Sequence, residues 1–247
     1  MLKCKINYFC KVIIEILKKL FTTSFCLFAL WASAQTGTKV YPFLNVPVSA
    51  RQAVLGGDAV SVRDYDVNFA AINPALMNLD MDNRIGINYG SYIAGSNLGS
   101  INYVKDLSAG HFISVNARVL DFGKTPRTDE FGNVNGEFSA MDASVGLGYA
   151  YQFEDNFTIG ANVNYITSKI DNFSSAAISA NAGVTYHNER AKETLALVFR
   201  NFGYQFQTYN GLRENLPFRA DLGYTKILPE FPLAFTITYH DLQQFNI

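Results

Sequence analysis

The residues able to do chemistry are scattered along this chain. His111, His187 and His240 are far apart in sequence, and a zinc site needs clustered ligands. They are expected to be hydrogen-bonded or solvated. Asp64-Tyr65-Asp66 and Asp80-Met81-Asp82-Asn83 offer hard oxygens, but neither has the spacing of a calcium loop. The glycines between Gly95 and Gly99 do not make a phosphate loop. Lys124-Thr125-Pro126 stops short of the Lys-Thr-Gly of acyl-transfer enzymes, and the chain has no Ser-x-x-Lys. No catalytic constellation emerges, so no enzyme, cofactor or metal is expected.

The elements that carry these residues begin behind an export signal. Lys3, Lys5, Lys11, Lys18 and Lys19 form a basic stretch, Phe21 to Trp31 is apolar, and Ala32-Ser33-Ala34 is a small-x-small cleavage site. Residues 1–34 therefore read as a secretory signal peptide. All three cysteines, Cys4, Cys10 and Cys26, leave with it, so the exported chain has no disulfide to stabilise it. With the five lysines and Glu15 of the signal gone, 15 Lys and Arg remain against 20 Asp and Glu, a formal charge of −5. That balance argues against a nucleic-acid partner, which favours a basic patch.

From Arg84 onward apolar residues recur at every second position. In one segment Met141, Ala143, Val145, Leu147, Tyr149, Tyr151 and Phe153 alternate with Asp142, Ser144, Gly146, Gly148, Ala150 and Gln152. Side chains alternate faces along a strand, so this strand has an apolar side and a small or polar side. The same alternation predicts strands over 84–92, 97–105, 111–121, 139–153, 157–170, 176–187, 193–206, 217–228 and 232–240, with a bulge at Arg200-Asn201. All seven prolines are read as lying outside strand centres.

The connections alternate too. Asp106 to Gly110, Glu154 to Asn156, Asn188 to Lys192 and Pro229 to Phe231 are short, whereas Phe122 to Phe138 and Gln207 to Leu216 are long. Outer-membrane barrels pair short periplasmic turns with longer surface loops and carry aromatic belts at both interfaces. Tyr149, Tyr151, Phe153 and Phe157 flank one short turn as such a belt would. The expected fold is therefore all-β, an antiparallel transmembrane β-barrel of the bacterial outer membrane. Val163 is expected to face lipid and Asn162 the interior. Such barrels normally have an even strand number. Nine strands with an open edge lead to the expectation that the sequence stops short at its C-terminus.

Residues 35–83 lack this alternation and read as a compact plug that starts on the periplasmic side. Val48 to Leu55 suits a short helix ended by Gly56-Gly57, and Asn73-Pro74-Ala75 suits a turn that fixes the plug. The run from Val48-Ser49-Ala50-Arg51-Gln52-Ala53-Val54-Leu55-Gly56-Gly57-Asp58-Ala59 to Asn73-Pro74-Ala75 resembles the N-terminal hatch of FadL-type barrels. The opening Phe43-Leu44-Asn45-Val46-Pro47-Val48-Ser49-Ala50-Arg51 and the ending His240-Asp241-Leu242-Gln243 are similar to the Bacteroidetes branch of that superfamily, its PorQ-like members first and PorV-like members next.

That resemblance implies a barrel of about 14 strands with an N-terminal plug, about five more than are read here. It also implies a place in the type IX secretion system, holding a PorZ-like surface protein in the cargo attachment complex. The two long connections, with Arg127, Phe131, Tyr209 and Arg213, are the candidate docking loops. The alternative is FadL-type transport of hydrophobic compounds, for which Tyr41, Phe43, Phe69 and Leu76 are candidate lining residues.

Overall fold

The computed structural model describes residues 39–228 and 230–244. The signal-peptide reading of residues 1–34 lies outside them. Residues 39–83 form a helical-turn segment, and nine strands follow: β1 (Arg84–Ser91), β2 (Asn97–Asp106), β3 (His111–Thr128), β4 (Val134–Glu154), β5 (Phe157–Ile170), β6 (Phe173–Asn188), β7 (Glu193–Gln207), β8 (Arg219–Leu228) and β9 (Leu233–Tyr239). Each pairs antiparallel with the next in sequence, giving one sheet in the order β1 to β9. The sheet is not closed, because no pairing joins β9 to β1 among the described residues.

Two faces of opposite character follow from the period-two pattern. Register aligns Ser100, Arg118, Ser144 and Ile166 on one face, and the next rows on that face are Asn102, Asn116, Gly146, Asn164 and Ser179. The N-terminal segment covers this polar face. The other face carries Ile101, Val115, Val145, Leu147, Val163, Ile178, Phe199 and Ile237, and nothing among the described residues packs over it. Along β5 the contrast is direct: Asn162 is 2% exposed and Val163 54%. A water-soluble sheet does the reverse, burying its apolar face.

The strand reading holds for most of the chain, and one element differs. The connection expected from Phe122 to Phe138 is largely strand, because β3 and β4 run on as a two-stranded ribbon to a turn at Asp129–Gly132. The pairing of β3 with β2 ends at Asp121, and that of β4 with β5 starts at Ala140. Between those points the two arms pair with each other, and one further backbone bond runs from Asp171 N to Ser139 O. Register shifts lie between Asp121 and Lys124 and between Pro126 and Thr128. Pro126, read as part of a connection, thus sits inside β3, two residues before its end and outside its centre. It is tolerated there because the ribbon has free edges and an irregular ladder.

The expected bulge in β7 is present. The β6–β7 register slips between Ala180 and Ala182, and Asn201 takes φ 55°. Backbone donors freed at the slip are satisfied by side chains: Asn201 N donates to Asn181 Oδ1 at 2.7 Å, and Asn181 N to Asn162 Oδ1 at 3.2 Å.

Candidate functional site

The N-terminal segment is built from local caps. Ser49 opens the one-turn helix α1 (Ala50–Val54), its hydroxyl accepting from Gln52 N at 3.2 Å. The buried Gln52 amide accepts from Val48 N and donates to Asn68 O. Gly56 and Gly57 end the turn with φ of 88° and 87°, a region that favours glycine. Arg51 pairs with Asp64 and Asp66. Asp64 and Asp66, the first pair of hard-oxygen residues, are therefore held by a guanidinium. Of the second pair, Asp82 accepts from Asp106 N at 2.8 Å and faces Lys105 Nζ at 3.5 Å.

Asn73, Pro74 and Ala75 do form a turn, and it lies against the middle of the sheet. Asn73 Oδ1 accepts from Ala75 N at 3.0 Å, and Nδ2 donates to Val60 O at 2.9 Å. The wall below is flat because Gly160 of β5 faces Gly183 of β6 across the ladder. A Cβ on Gly160 would stand 2.5 Å from the Pro74 carbonyl carbon, and one on Gly183 would stand 2.3 Å from Asn73 Oδ1. Turn and wall are complementary at the resolution of one methyl group.

The path of the segment differs from the expectation that it starts on the short-turn side. Val40 N donates to Asn215 O in the β7–β8 connection, and Tyr41 bonds Ser175 just past the β5–β6 turn. Arg118 donates to Leu44 O at 3.0 Å. The first described residues of the segment, from Lys39, thus lie at the end of the sheet that carries the long connections. The segment crosses the polar face and finishes beside Asp106, at the short-turn end, before β1 begins. Sequence alternation sets which strands alternate up and down, but it says nothing of a segment that lacks it.

Two apolar clusters seat the segment at the two ends of this path. Val40, Tyr41, Phe43 and Leu44 meet Leu120, Ile166, Ala177 and Leu216, while Phe69, Leu76, Met77 and Met81 meet Val104, Phe112 and Ala150. Tyr41, Phe43, Phe69 and Leu76, named above as candidate lining residues, are fully buried in this packing.

Between the clusters lies a charged ring that the sequence reading missed. Arg200 Nη1 is 2.7 Å from Asp58 Oδ1 and 3.3 Å from Asp221 Oδ2, and Arg219 Nη1 is 2.9 Å from Asp58 Oδ2. Burial pushes the Asp58 carboxyl up, and the two guanidiniums outweigh it and hold it below the usual carboxylate range. Asp58 is more than 140 positions from either arginine in sequence. The one available signal was charge on a strand face otherwise lined by small polar residues.

The four candidate docking residues share one end of the sheet but not one role. Arg127 pairs with Asp171 and ties the ribbon to the β5–β6 turn. Tyr209 bonds Ser168 and packs on the cluster around Tyr41. The Arg213 guanidinium lies 4.3 Å from the Tyr204 ring centroid. Phe131 stands at the ribbon tip, 88% exposed. Ile170, Phe173, Tyr209 and Asn210 line a shallow groove of about 310 Å3 there.

At the opposite end, rings line the bare face: Phe153 stacks on Phe157 at 5.7 Å, Phe157 meets Tyr186 at 5.0 Å, and His111 stacks on Tyr151 at 4.5 Å. Each histidine has a partner, His111 in Tyr149, His187 in Thr194 and His240 in Asp221. Among the described residues no group of three His, Cys, Asp or Glu is placed to hold a metal, and no helix is long and apolar enough to cross a membrane. The His240-Asp241-Leu242-Gln243 string folds back on β8, where Ala220 N donates to Gln243 Oε1 and Leu242 N to Ala220 O. No protein-family model and no curated protein matches the chain.

Proposed function

We propose that this chain forms the lipid-facing wall and internal hatch of an outer-membrane β-barrel. Its role is that of a PorQ-like, non-enzymatic subunit of the type IX secretion system that holds a PorZ-like surface protein in the cargo attachment complex. One observation carries the membrane part: the nine-stranded sheet covers its polar face and leaves its apolar face bare. Soluble monomers rarely expose a contiguous apolar patch beyond a few hundred Å2, roughly. A barrel in lipid needs that arrangement. The aromatic row beside the short turns supports it, since rings of this kind sit at the headgroup level.

The secretion-system part rests on the Phe43 to Arg51 and His240 to Gln243 strings, and on the ribbon and long connection at one end of the sheet. In this orientation the short turns face the periplasm, and the segment begins near the cell exterior.

Val163 tests the membrane part, because an exported soluble protein and a membrane barrel respond oppositely there. Arg at a lipid-facing midplane position costs about 2–4 kcal/mol, whereas Arg on a hydrated surface costs little. Val163→Arg should sharply lower the amount of full-length protein found in the outer membrane, and Val163→Leu should leave it unchanged. Equal membrane recovery of both variants would remove the lipid-facing assignment.

A further inference from the structure

We propose that Arg200 and Arg219 form a carboxylate-binding site on the wall of the sheet, which Asp58 of the N-terminal segment occupies as an internal ligand. Arg200 of β7 and Arg219 of β8 are direct cross-strand partners on the covered face. Like charges placed opposite one another repel, so the pair requires anions. The wall supplies one, Asp221, which is fully buried and stands 3.3 Å from each guanidinium. Asp241, after β9, approaches Arg219 Nε only to 3.7 Å, and His240 Nδ1 lies 3.5 Å from Asp221 Oδ1. Without Asp58 the wall holds two guanidiniums against one close carboxylate. Arg200, 4% exposed, suffers most, because Asp58 and Asp221 are its two ion-pair partners.

Asp58 fills this deficit as a small free carboxylate would. One oxygen takes a hydrogen bond from Arg200 at 2.7 Å and the other from Arg219 at 2.9 Å, both shorter than the contacts to Asp221. Bridging of this kind suits a planar carboxylate and the fork of an arginine pair. Asp58 makes both of the ion pairs that join the segment to β7 and β8. It is delivered by Gly56 and Gly57, both at positive φ, so its position depends on backbone that resists little. A small carboxylate therefore finds this place filled while Asp58 is seated and open once the Asp58 carboxylate is removed.

The test uses the full-length protein in detergent, with protease cleavage within residues 39–83 as the readout. Asp58→Ala should raise the cleavage rate on the order of tenfold in chloride, because a buried guanidinium has lost its partner. Replacing chloride by formate at constant ionic strength should slow the Asp58→Ala protein toward the parent rate and leave the parent unchanged. Asp58→Ala combined with Arg200→Gln should show no formate effect. The proposal is overturned if formate fails to protect Asp58→Ala, or protects it equally when Arg200 is Gln. Should Asp58→Ala not assemble, Asp58→Asn keeps the side-chain volume and removes the charge. A parent-like cleavage rate in Asp58→Asn would show that the carboxylate is not what holds the segment. All of these readings concern the segment and the sheet, and they stand or fall apart from the secretion partner.

Discussion

At the scale of residues, contact between segment and sheet is decided by absences of side chain as much as by bonds. Gly160 and Gly183 face each other so that the Asn73-Pro74-Ala75 turn can rest on backbone. Gly160→Ala would press a methyl group against the Pro74 carbonyl carbon and the Ala75 nitrogen, at 2.5 and 2.6 Å, and neither belongs to a flexible side chain. Overpacking of this kind costs about 1–3 kcal/mol. Gly90→Ala is the matched control, since a Cβ there meets nothing within 4 Å. The thermal midpoint of the Gly160→Ala protein should fall by several degrees while that of Gly90→Ala stays at or above the parent value. Equal midpoints would mean that the turn does not rest on the wall. These glycines were visible in the sequence, yet only as small residues on a polar face. Their purpose depends on a turn 85 positions or more upstream, which periodicity does not reach. Sequence distance likewise hid Asp58 from Arg200 and Arg219, whereas the bonds of Gln52 N to Ser49 and of Val48 N to Gln52 span no more than four residues and belong to a helix start that the sequence displays.

At the scale of elements, strands were legible wherever one face is apolar, because alternation is then written into every second residue. The ribbon of residues 122–138 was not. Gly123, Lys124, Pro126, Arg127 and Glu137 break the alternation, yet the backbones still pair, since ladder bonds need no apolar face. The segment poses the reverse problem. Its caps and turns are local and readable, while its course over the sheet is set by contacts at both ends with strands far along the chain. The Asn73–Ala75 turn is the middle anchor of that course. Asn73→Ala with Pro74→Ala removes the bonds to Ala75 N and Val60 O and frees a backbone that proline restricts. The two apolar clusters remain, so the sheet should stay folded, with unchanged far-ultraviolet circular dichroism. Protease cleavage within residues 39–83, or conductance in a planar bilayer, should rise. Unchanged protection and conductance would show that the turn is not needed to hold the segment.

At the scale of the whole molecule, the two ends of the sheet differ in what they offer a partner. The short-turn end is trimmed to tight connections, with aromatic rings on the bare face beside them. The other end gathers the ribbon, the β7–β8 connection and the start of the N-terminal segment. A free-standing pair of strands is only marginally stable by itself, so the ribbon gains from being held. Part of that holding is internal, since Arg127 reaches Asp171; in the β7–β8 connection Arg213 lies over Tyr204. Tyr209 belongs to the cluster beneath and supports the rim. The ribbon tip offers a partner Phe131 and Val134, 88% and 68% exposed, an apolar pair of the kind that anchors interfaces. Deleting Thr128 to Gly136 removes this tip and leaves the β2–β3 and β4–β5 ladders whole. A matching removal of Asn210 to Arg213 spares Tyr209 and also Asn215, whose carbonyl accepts from Val40. In the full-length protein the first deletion should abolish recovery of a PorZ-like partner in a pull-down and reduce cargo attachment, with outer-membrane levels unchanged. The second should weaken recovery less, because that connection is shaped mainly by contacts within the chain. Partner recovery and cargo attachment at parent levels in both deletions would rule out docking at this rim, and the inverted sheet with its seated segment would stand without it.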